Sequence, residues 1–140
     1  MSNLVVTPSY GPAISLEQAK KLAAAAIAAA TRNNWRVALA VVDPHGLLKY
    51  YEMMDDTQTA SASIAVEKAR TAAMFRRPTK MLEDAIATGR HALLAMPGMT
   101  PVEGGLPIVV DGKVIGGVGV SGLTSQQDGQ VAQAGLDALK

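Results

Sequence analysis

The Asp111-Gly112 pair constrains the fold more than any other feature of the sequence, because it separates two runs of β-forming residues, 108–110 and 113–120. Asp-Gly is favoured in two-residue turns whose backbone twist matches that of the flanking strands. The two runs are therefore predicted to form a tight hairpin. Tight hairpins pair their strands antiparallel, whereas parallel pairing needs a long crossover. This half of the chain is predicted to supply an antiparallel sheet.

Helical periodicity and turn residues place the other elements around this hairpin. Ser15 followed by Gln18 is a capping-box pattern that begins a helix. An Asp-Pro-His-Gly turn at 43–46 indicates a second hairpin. Helices are predicted at 16–32, 59–77, 80–88 and from Ser125 onward, strands at 35–42 and 47–53, and an irregular segment at 90–107. An antiparallel sheet covered by helices is the economical α+β arrangement of this order. The length of 140 residues predicts one domain over 1–140.

Composition excludes several classes of function. Thirteen basic and twelve acidic residues give a net charge of +1 with no basic stripe, so nucleic acid is not an expected partner. The chain has no Cys, which excludes disulfides, thiolate catalysis and Cys-based metal sites. Lys20-Lys21 and the apolar run 22–30 are too short and begin too late to be an export signal or a membrane span. A cytoplasmic protein without a membrane partner is expected.

Several cations fall where anions could bind. Lys68 lies within the apolar arc of the second predicted helix, where either its stem packs while the ammonium reaches water, or the ammonium binds an anion. Arg77 ends this helix, and Thr79 is predicted to cap the next one, whose N-terminal amides favour anions. Gly104 and Gly105, in a loop before a strand, are predicted to face a ligand.

Other residues suggest a metal ligand or proton transfer. His91, beside an apolar stretch, is the better of the two histidines as an axial haem ligand, with Met96 and Met99 as softer alternatives and a structural histidine as the competing interpretation. Glu103 and Asp128 are the candidate proton carriers if the chain is an enzyme, with Lys68 and Arg77 holding a substrate anion.

Taken together, the motifs of the chain resemble the GlcG/HbpS-like family over about residues 15–136. The resemblance rests on the order and spacing of Ala40-Val-Val-Asp43 with Gly46, Ile64-Ala-x-x-Lys-Ala-x-Thr-Ala-Ala-x-Phe75, Arg77-Pro-Thr79, Gly104-Gly-x-Pro-Ile108, Asp111-Gly112 and Ile115-Gly-x-x-Gly-Val-Ser-Gly122. It implies a profilin-like α+β fold, with an antiparallel sheet of about five strands and helices on both faces. It also implies a homo-oligomer, often an octamer.

The resemblance further implies a ligand pocket at the positions that match the family. These positions are Lys68, Arg77, Thr79, Glu103, Gly104, Gly105, Ser121 and Asp128. Some members bind haem, some are fused to corrinoid adenosyltransferases of the PduO type, and others accompany catabolic operons. The expected function is therefore binding of haem or a small anionic ligand. The alternatives are a cofactor-independent enzyme on a small carboxylate or aromatic-catabolism metabolite, and a non-catalytic accessory oligomer.

Overall fold

A computed structural model describes residues 7–140; the predicted domain also includes residues 1–6, which lie outside the described residues. The described chain is an α+β structure of five strands and four α-helices, with one 3₁₀ helix. The elements in chain order are β1 (Ser9–Tyr10), α1 (Leu16–Arg32), β2 (Ala38–Val42), β3 (Leu48–Met53), α2 (Ser61–Phe75), α3 (Thr79–Ala87), the 3₁₀ helix (His91–Ala95), β4 (Gly105–Val110), β5 (Lys113–Ser121) and α4 (Ser125–Asp137).

Strand β5 is the centre of the sheet. It pairs antiparallel with β4 through the Asp111-Gly112 turn, and antiparallel with β2, which pairs antiparallel with β3. Asp111 and Gly112 both have positive φ, 53° and 75°, as a tight turn of this kind requires. Strand β1 pairs with the start of β5, at Lys113 and Val114, and this short pairing is parallel. The predicted antiparallel hairpins are confirmed, and β1 adds a parallel pair that the sequence patterns did not reveal.

Helices cover both faces of this sheet, as the fold class predicts. The apolar side chains of α1 and α4 pack on one face, against alternate residues of β2 and β5 such as Leu39, Val41 and Val118. Helix α2 packs on the other face through small residues, Ala65, Ala69 and Ala73. Because these side chains are short, the helix backbone approaches the strands closely.

The close approach of α2 explains the Gly-rich strand β5. A Cβ atom at Gly119 would collide with the carbonyl oxygen of Ala65, and one at Gly117 would collide with that of Ala69. Glycine in a strand interior marks such a backbone contact. Gly119 is therefore a residue at which α2 packs on the sheet. A Cβ atom at Gly116 would instead meet the carbonyl oxygen of Val42 and the side chain of Ile14. Glycine is therefore required there by β2 and Ile14 and not by α2.

Two predicted helix caps differ from those in the structure. Pro78 is the N-cap of α3, and the Thr79 hydroxyl turns inward to Gly105 instead of capping the helix. Helix α4 begins with a capping box between Thr124 and Gln127, one residue before Ser125 and Asp128, the pair whose spacing predicts the start of this helix. In both places a side chain predicted to take part in the cap has a buried partner instead: Thr79 bonds to Gly105, and Asp128 bonds to Lys68. These buried interactions compete with the local cap.

Candidate functional site

Lys68 and Asp128 form an ion pair inside the protein. Lys68 Nζ lies 3.1 Å from Asp128 Oδ2 and donates a second hydrogen bond of 3.0 Å to the Val120 carbonyl oxygen. Both side chains are only 2% exposed. The interpretation in which only the stem packs expects the ammonium to reach water at an edge of the protein. The structure buries the ammonium instead. The ammonium joins α2 to β5 and α4. Binding of a ligand by Lys68 remains a prediction.

Opposing effects act on the pKa of Asp128. Burial raises this pKa, and the positive charge of Lys68 together with hydrogen bonds from the Leu123 and Gly122 backbone lowers it. The balance lies on the raised side because the carboxylate loses its water on burial. The Leu123 amide donates to Oδ1 at 3.1 Å, so both oxygens of the carboxylate have partners.

The Gly104-Gly105 segment packs against this ion pair and against Thr79. A Cβ at Gly104 would lie 2.8 Å from Lys68 Nζ, and one at Gly105 would collide with the Lys68 carbonyl oxygen. Thr79 Oγ1 accepts a 2.9 Å hydrogen bond from the Gly105 amide and donates one of 3.3 Å to its carbonyl. These five residues, Lys68, Asp128, Thr79, Gly104 and Gly105, share one buried cluster.

Ser121 and Glu103 lie at the margins of this cluster. The Ser121 hydroxyl donates a 2.9 Å hydrogen bond to the Ser61 hydroxyl, and both side chains are buried. The Glu103 amide donates to Glu83 Oε1 at 2.9 Å, and the Glu103 carboxylate lies beside Gly129 of α4. The sequence-predicted residues therefore converge, with the exception of Arg77 and His91.

Arg77 lines a separate cavity of 440 Å³, here called the Arg77 cavity. Its lining residues come from the end of α2, from α3 and from the segment 90–99: Phe75, Arg77, Met81, Leu82, Ala85, Arg90, Leu93, Met96 and Met99. Arg77 Nε donates a 2.9 Å hydrogen bond to the Phe75 carbonyl oxygen. This bond fixes the position of Nε, the guanidinium nitrogen nearest the aliphatic part of the side chain. The cavity thus combines two guanidinium groups, three thioethers and an apolar wall.

Among residues 7–140, neither guanidinium group of the Arg77 cavity has a carboxylate partner. Within residues 7–140, the ion pairs involve Lys68, Arg70, Lys80 and Lys140 but not Arg77 or Arg90. Guanidinium groups bind carboxylates and phosphates with paired hydrogen bonds. Two unpaired ones beside an apolar wall favour a ligand that is apolar in its body and anionic at its edge.

The segment 90–99 reveals a signal that the sequence analysis missed. Arg90, Leu93, Met96 and Met99 recur at every third position, and all four line the cavity. Only Leu93 belongs to the 3₁₀ helix itself, since Arg90 precedes it and Met96 and Met99 follow it. The spacing of three therefore marks the lining residues of the segment without following from one regular helix.

His91 lies on the opposite side of the same segment. It begins the 3₁₀ helix, its side chain is exposed, and it is not a lining residue of the Arg77 cavity. Leu94, three residues later, shares its face and is 67% exposed. The described geometry directs His91 toward solvent, and its role as a metal ligand remains a prediction.

The other histidine lines a second cavity. His45 lies with Tyr10, Gly11, Ala13, Pro44 and Met74 around a cavity of 380 Å³, here called the Tyr10 cavity. His45 was not predicted as a ligand because it lies in a turn. Arg76 stacks on the Tyr10 ring at 5.2 Å and donates to the Pro8 carbonyl, so its guanidinium is already engaged.

Two structural absences hold for the residues that the structure describes. No group of three or more His, Asp or Glu side chains among residues 7–140 is placed to hold a metal ion. No helix over the same range is both long enough and apolar enough to cross a membrane.

Comparison with known proteins assigns the chain to a family. The profile of the family described as haem degrading protein, HbpS-like, matches residues 14–137. Protein GlcG of Escherichia coli K12 is 48% identical over 108 residues, which cover 77% of this chain and 81% of that protein.

Solved structures agree with this assignment. A double mutant of Streptomyces reticuli HbpS superposes with a TM-score of 0.86 at 31% identity, covering 100% of this chain and 93% of that one. The structure described as a PduOC–heme complex superposes with a TM-score of 0.82 at 29% identity, covering 90% and 94%. The fold and the relationship to PduO that the motifs implied are confirmed.

Proposed function

The chain belongs to the HbpS-like family, and on this premise we propose that it binds haem, or a similar amphipathic anion, in the Arg77 cavity. One observation carries the proposal: two guanidinium groups without carboxylate partners in residues 7–140 line a cavity that is otherwise apolar and rich in thioethers. A relative of this fold has been solved with haem, which supports the choice of ligand.

The residues of the cavity fit the chemistry of haem. Haem has a flat apolar ring, two propionate groups at one edge and an iron that accepts axial ligands. Arg77 and Arg90 would hold the propionates, since guanidinium pairs with carboxylate. Phe75 and Leu93 would contact the ring, and a methionine thioether is a known ligand of haem iron. Bound haem would supply redox or oxygen chemistry, while the protein would bind, orient and shield it.

The cluster around Lys68 is not used in this proposal. Lys68 and Asp128 are paired with one another and almost completely buried, and neither lines the Arg77 cavity or the Tyr10 cavity. We assign the cluster a structural role, in which it attaches the Gly104-Gly105 segment to α2 and α4. The ligand contacts expected for Lys68, Thr79, Gly104, Gly105 and Ser121 remain predictions.

A haemin titration followed at the Soret band tests the proposal. We expect saturable binding with one haemin per chain, and weaker binding by the Arg77→Gln/Arg90→Gln double variant. The loss should be about tenfold or more for each guanidinium, since hydrogen bonds to charged groups contribute about 1.5–3 kcal/mol. Arg36→Gln, at an exposed arginine outside the cavity, is the matched control and should bind like the unchanged protein. Equal affinity of all three proteins would contradict the proposed site.

The other expected functions have less support. Catalysis on a small carboxylate requires a proton carrier beside the bound anion, and neither Glu103 nor Asp128 lines the Arg77 cavity. The enzyme alternative, the accessory role in a catabolic operon, the cytoplasmic location and the octamer remain predictions. Turnover of a pathway intermediate by purified protein, lost in Glu103→Gln, would favour the enzyme.

A further inference from the structure

Three thioethers line the Arg77 cavity, and no imidazole does. Met81 comes from α3, and Met96 and Met99 come from the segment that follows the 3₁₀ helix. Met81 and Met96 are each 41% exposed, whereas Met99 is half-buried. A ligand that enters the cavity therefore meets sulfur atoms on both of its walls, from α3 and from the segment 90–99.

The backbone of the segment 90–99 holds these thioethers toward the cavity. The Met96 amide donates a 3.1 Å hydrogen bond to the Leu93 carbonyl oxygen, which continues the 3₁₀ turn through Met96. Leu93 is 8% exposed and anchors this face in the protein. The 3₁₀ helix ends at Ala95, and Met96 and Met99 come after it and line the same cavity as Leu93.

The same backbone turns His91 away. His91 shares its face of the 3₁₀ helix with Leu94, which is 67% exposed, and the His91 amide is bonded to the Gly89 carbonyl oxygen at 2.8 Å. Leu93 lies on another face of this helix, is 8% exposed and lines the cavity, whereas His91 does not.

We propose that the thioethers of Met96 and Met99, and not the imidazole of His91, supply the axial donor to a haem iron in the Arg77 cavity. This assignment rests on the proposed function. Sulfur of a thioether is a neutral, soft donor, and ligation by methionine raises the reduction potential of haem relative to nitrogen ligation. The site would therefore hold iron preferentially in its reduced state compared with a histidine-ligated site.

The experiment uses haemin-loaded protein and two readouts, the sulfur-to-iron charge-transfer band of the ferric protein and the reduction potential. Met96→Leu/Met99→Leu is expected to lose the band and to lower the potential. Leu keeps the volume and apolar character of Met, so the cavity should persist. Met74→Leu, at a methionine that is 47% exposed and lines the other cavity, and His91→Ala are expected to keep both signals.

Metal-free protoporphyrin IX separates this assignment from the proposed function. It has the ring and the propionates but no iron, so it should bind the Met96→Leu/Met99→Leu variant as tightly as the unchanged protein and bind Arg77→Gln/Arg90→Gln weakly. Absence of saturable haemin binding by the unchanged protein would contradict the proposed function and this assignment together. Saturable binding with an unchanged spectrum and potential in the methionine variant, or loss of the signals in His91→Ala, would overturn the assignment alone.

Discussion

The ammonium of Lys68 lies 3.1 Å from the carboxylate of Asp128, and together they join α2 to α4 beneath the Gly104-Gly105 segment. An ion pair that is 2% exposed at both ends differs from one on the surface, because each charge has lost its water. We therefore expect replacement of both members to destabilise the protein less than removal of one, since removal of one leaves a buried charge without a partner.

The first prediction concerns removal of one charge. Lys68→Met should lower the free energy of unfolding by about 3–5 kcal/mol, because Asp128 stays buried without its cation. Lys68→Met/Asp128→Asn should recover much of the loss, since Asn keeps an oxygen for the Leu123 amide without a charge. Urea denaturation of the three proteins measures this difference. A double variant less stable than Lys68→Met would show that the unpaired charge of Asp128 is not the main cause of the loss of stability.

The second prediction concerns pH. Burial raises the pKa of Asp128 above its ordinary 3.8, so the folded protein holds this proton at pH values where the unfolded chain has released it. The contribution of this group to stability is therefore complete below 3.8 and is lost as the pH rises through the raised pKa. The difference in unfolding free energy between the unchanged protein and Asp128→Asn should decrease as the pH rises through this window. A difference that grows with pH would mean that the Lys68 charge dominates.

The third prediction compares two glycines. Gly119→Ala should destabilise the protein by about 3 kcal/mol or more, because the new methyl group would collide with the backbone of α2 at Ala65. Gly129→Ala in α4 is the matched control, since its Cβ would meet the end of the Glu103 side chain, which can move. Alanine also favours a helix over glycine by about 1 kcal/mol. Thermal unfolding should therefore give opposite shifts for the two variants, and a similar loss for both would contradict the packing argument.

The fourth prediction concerns the Thr79 hydroxyl. Thr79→Val keeps the shape of the side chain but leaves the Gly105 amide without its acceptor, which should cost about 1–3 kcal/mol. Thr79→Ser retains the hydroxyl and should be affected less. Hydrogen exchange at the Gly105 amide reports the loss of this hydrogen bond directly. The exchange rate of that amide should increase in Thr79→Val. Equal protection in both variants would show that the hydroxyl does not hold this segment.

Local sequence patterns predicted most of the fold. The capping box at Ser15 and Gln18, the Asp111-Gly112 turn and the helical periodicity each describe interactions within a few residues, and the structure contains all three. Strand β1 was not predicted because two residues carry no periodicity. The first three residues of β4, from Gly105, were assigned to a loop because their glycine and proline do not resemble a strand interior, and their pairing partner lies in β5.

The sequence predicted the candidate site less completely than it predicted the fold. The arc that contains Lys68 correctly indicated burial, but its partner Asp128 lies 60 residues away and only the fold brings them together. Arg77 could be identified as a cation at a helix end, whereas Arg90 could not, because the prolines and glycines that follow hid the regular spacing of three. His91 was preferred for its residue type and its place beside an apolar stretch, and neither reports which side of a helix faces a cavity.

The central strand of the sheet is also the last strand of the chain. Strand β5 spans Lys113–Ser121, and β1, β2 and β4 all pair with it. During synthesis the β2–β3 hairpin emerges early, but a two-stranded hairpin alone is marginally stable in water. The sheet therefore cannot assemble until β5 has left the ribosome, and β1 must wait more than 100 residues for its partner. Such distant pairing slows folding, and the apolar faces of β2 and β3 lack their partner strand until β5 has been synthesised.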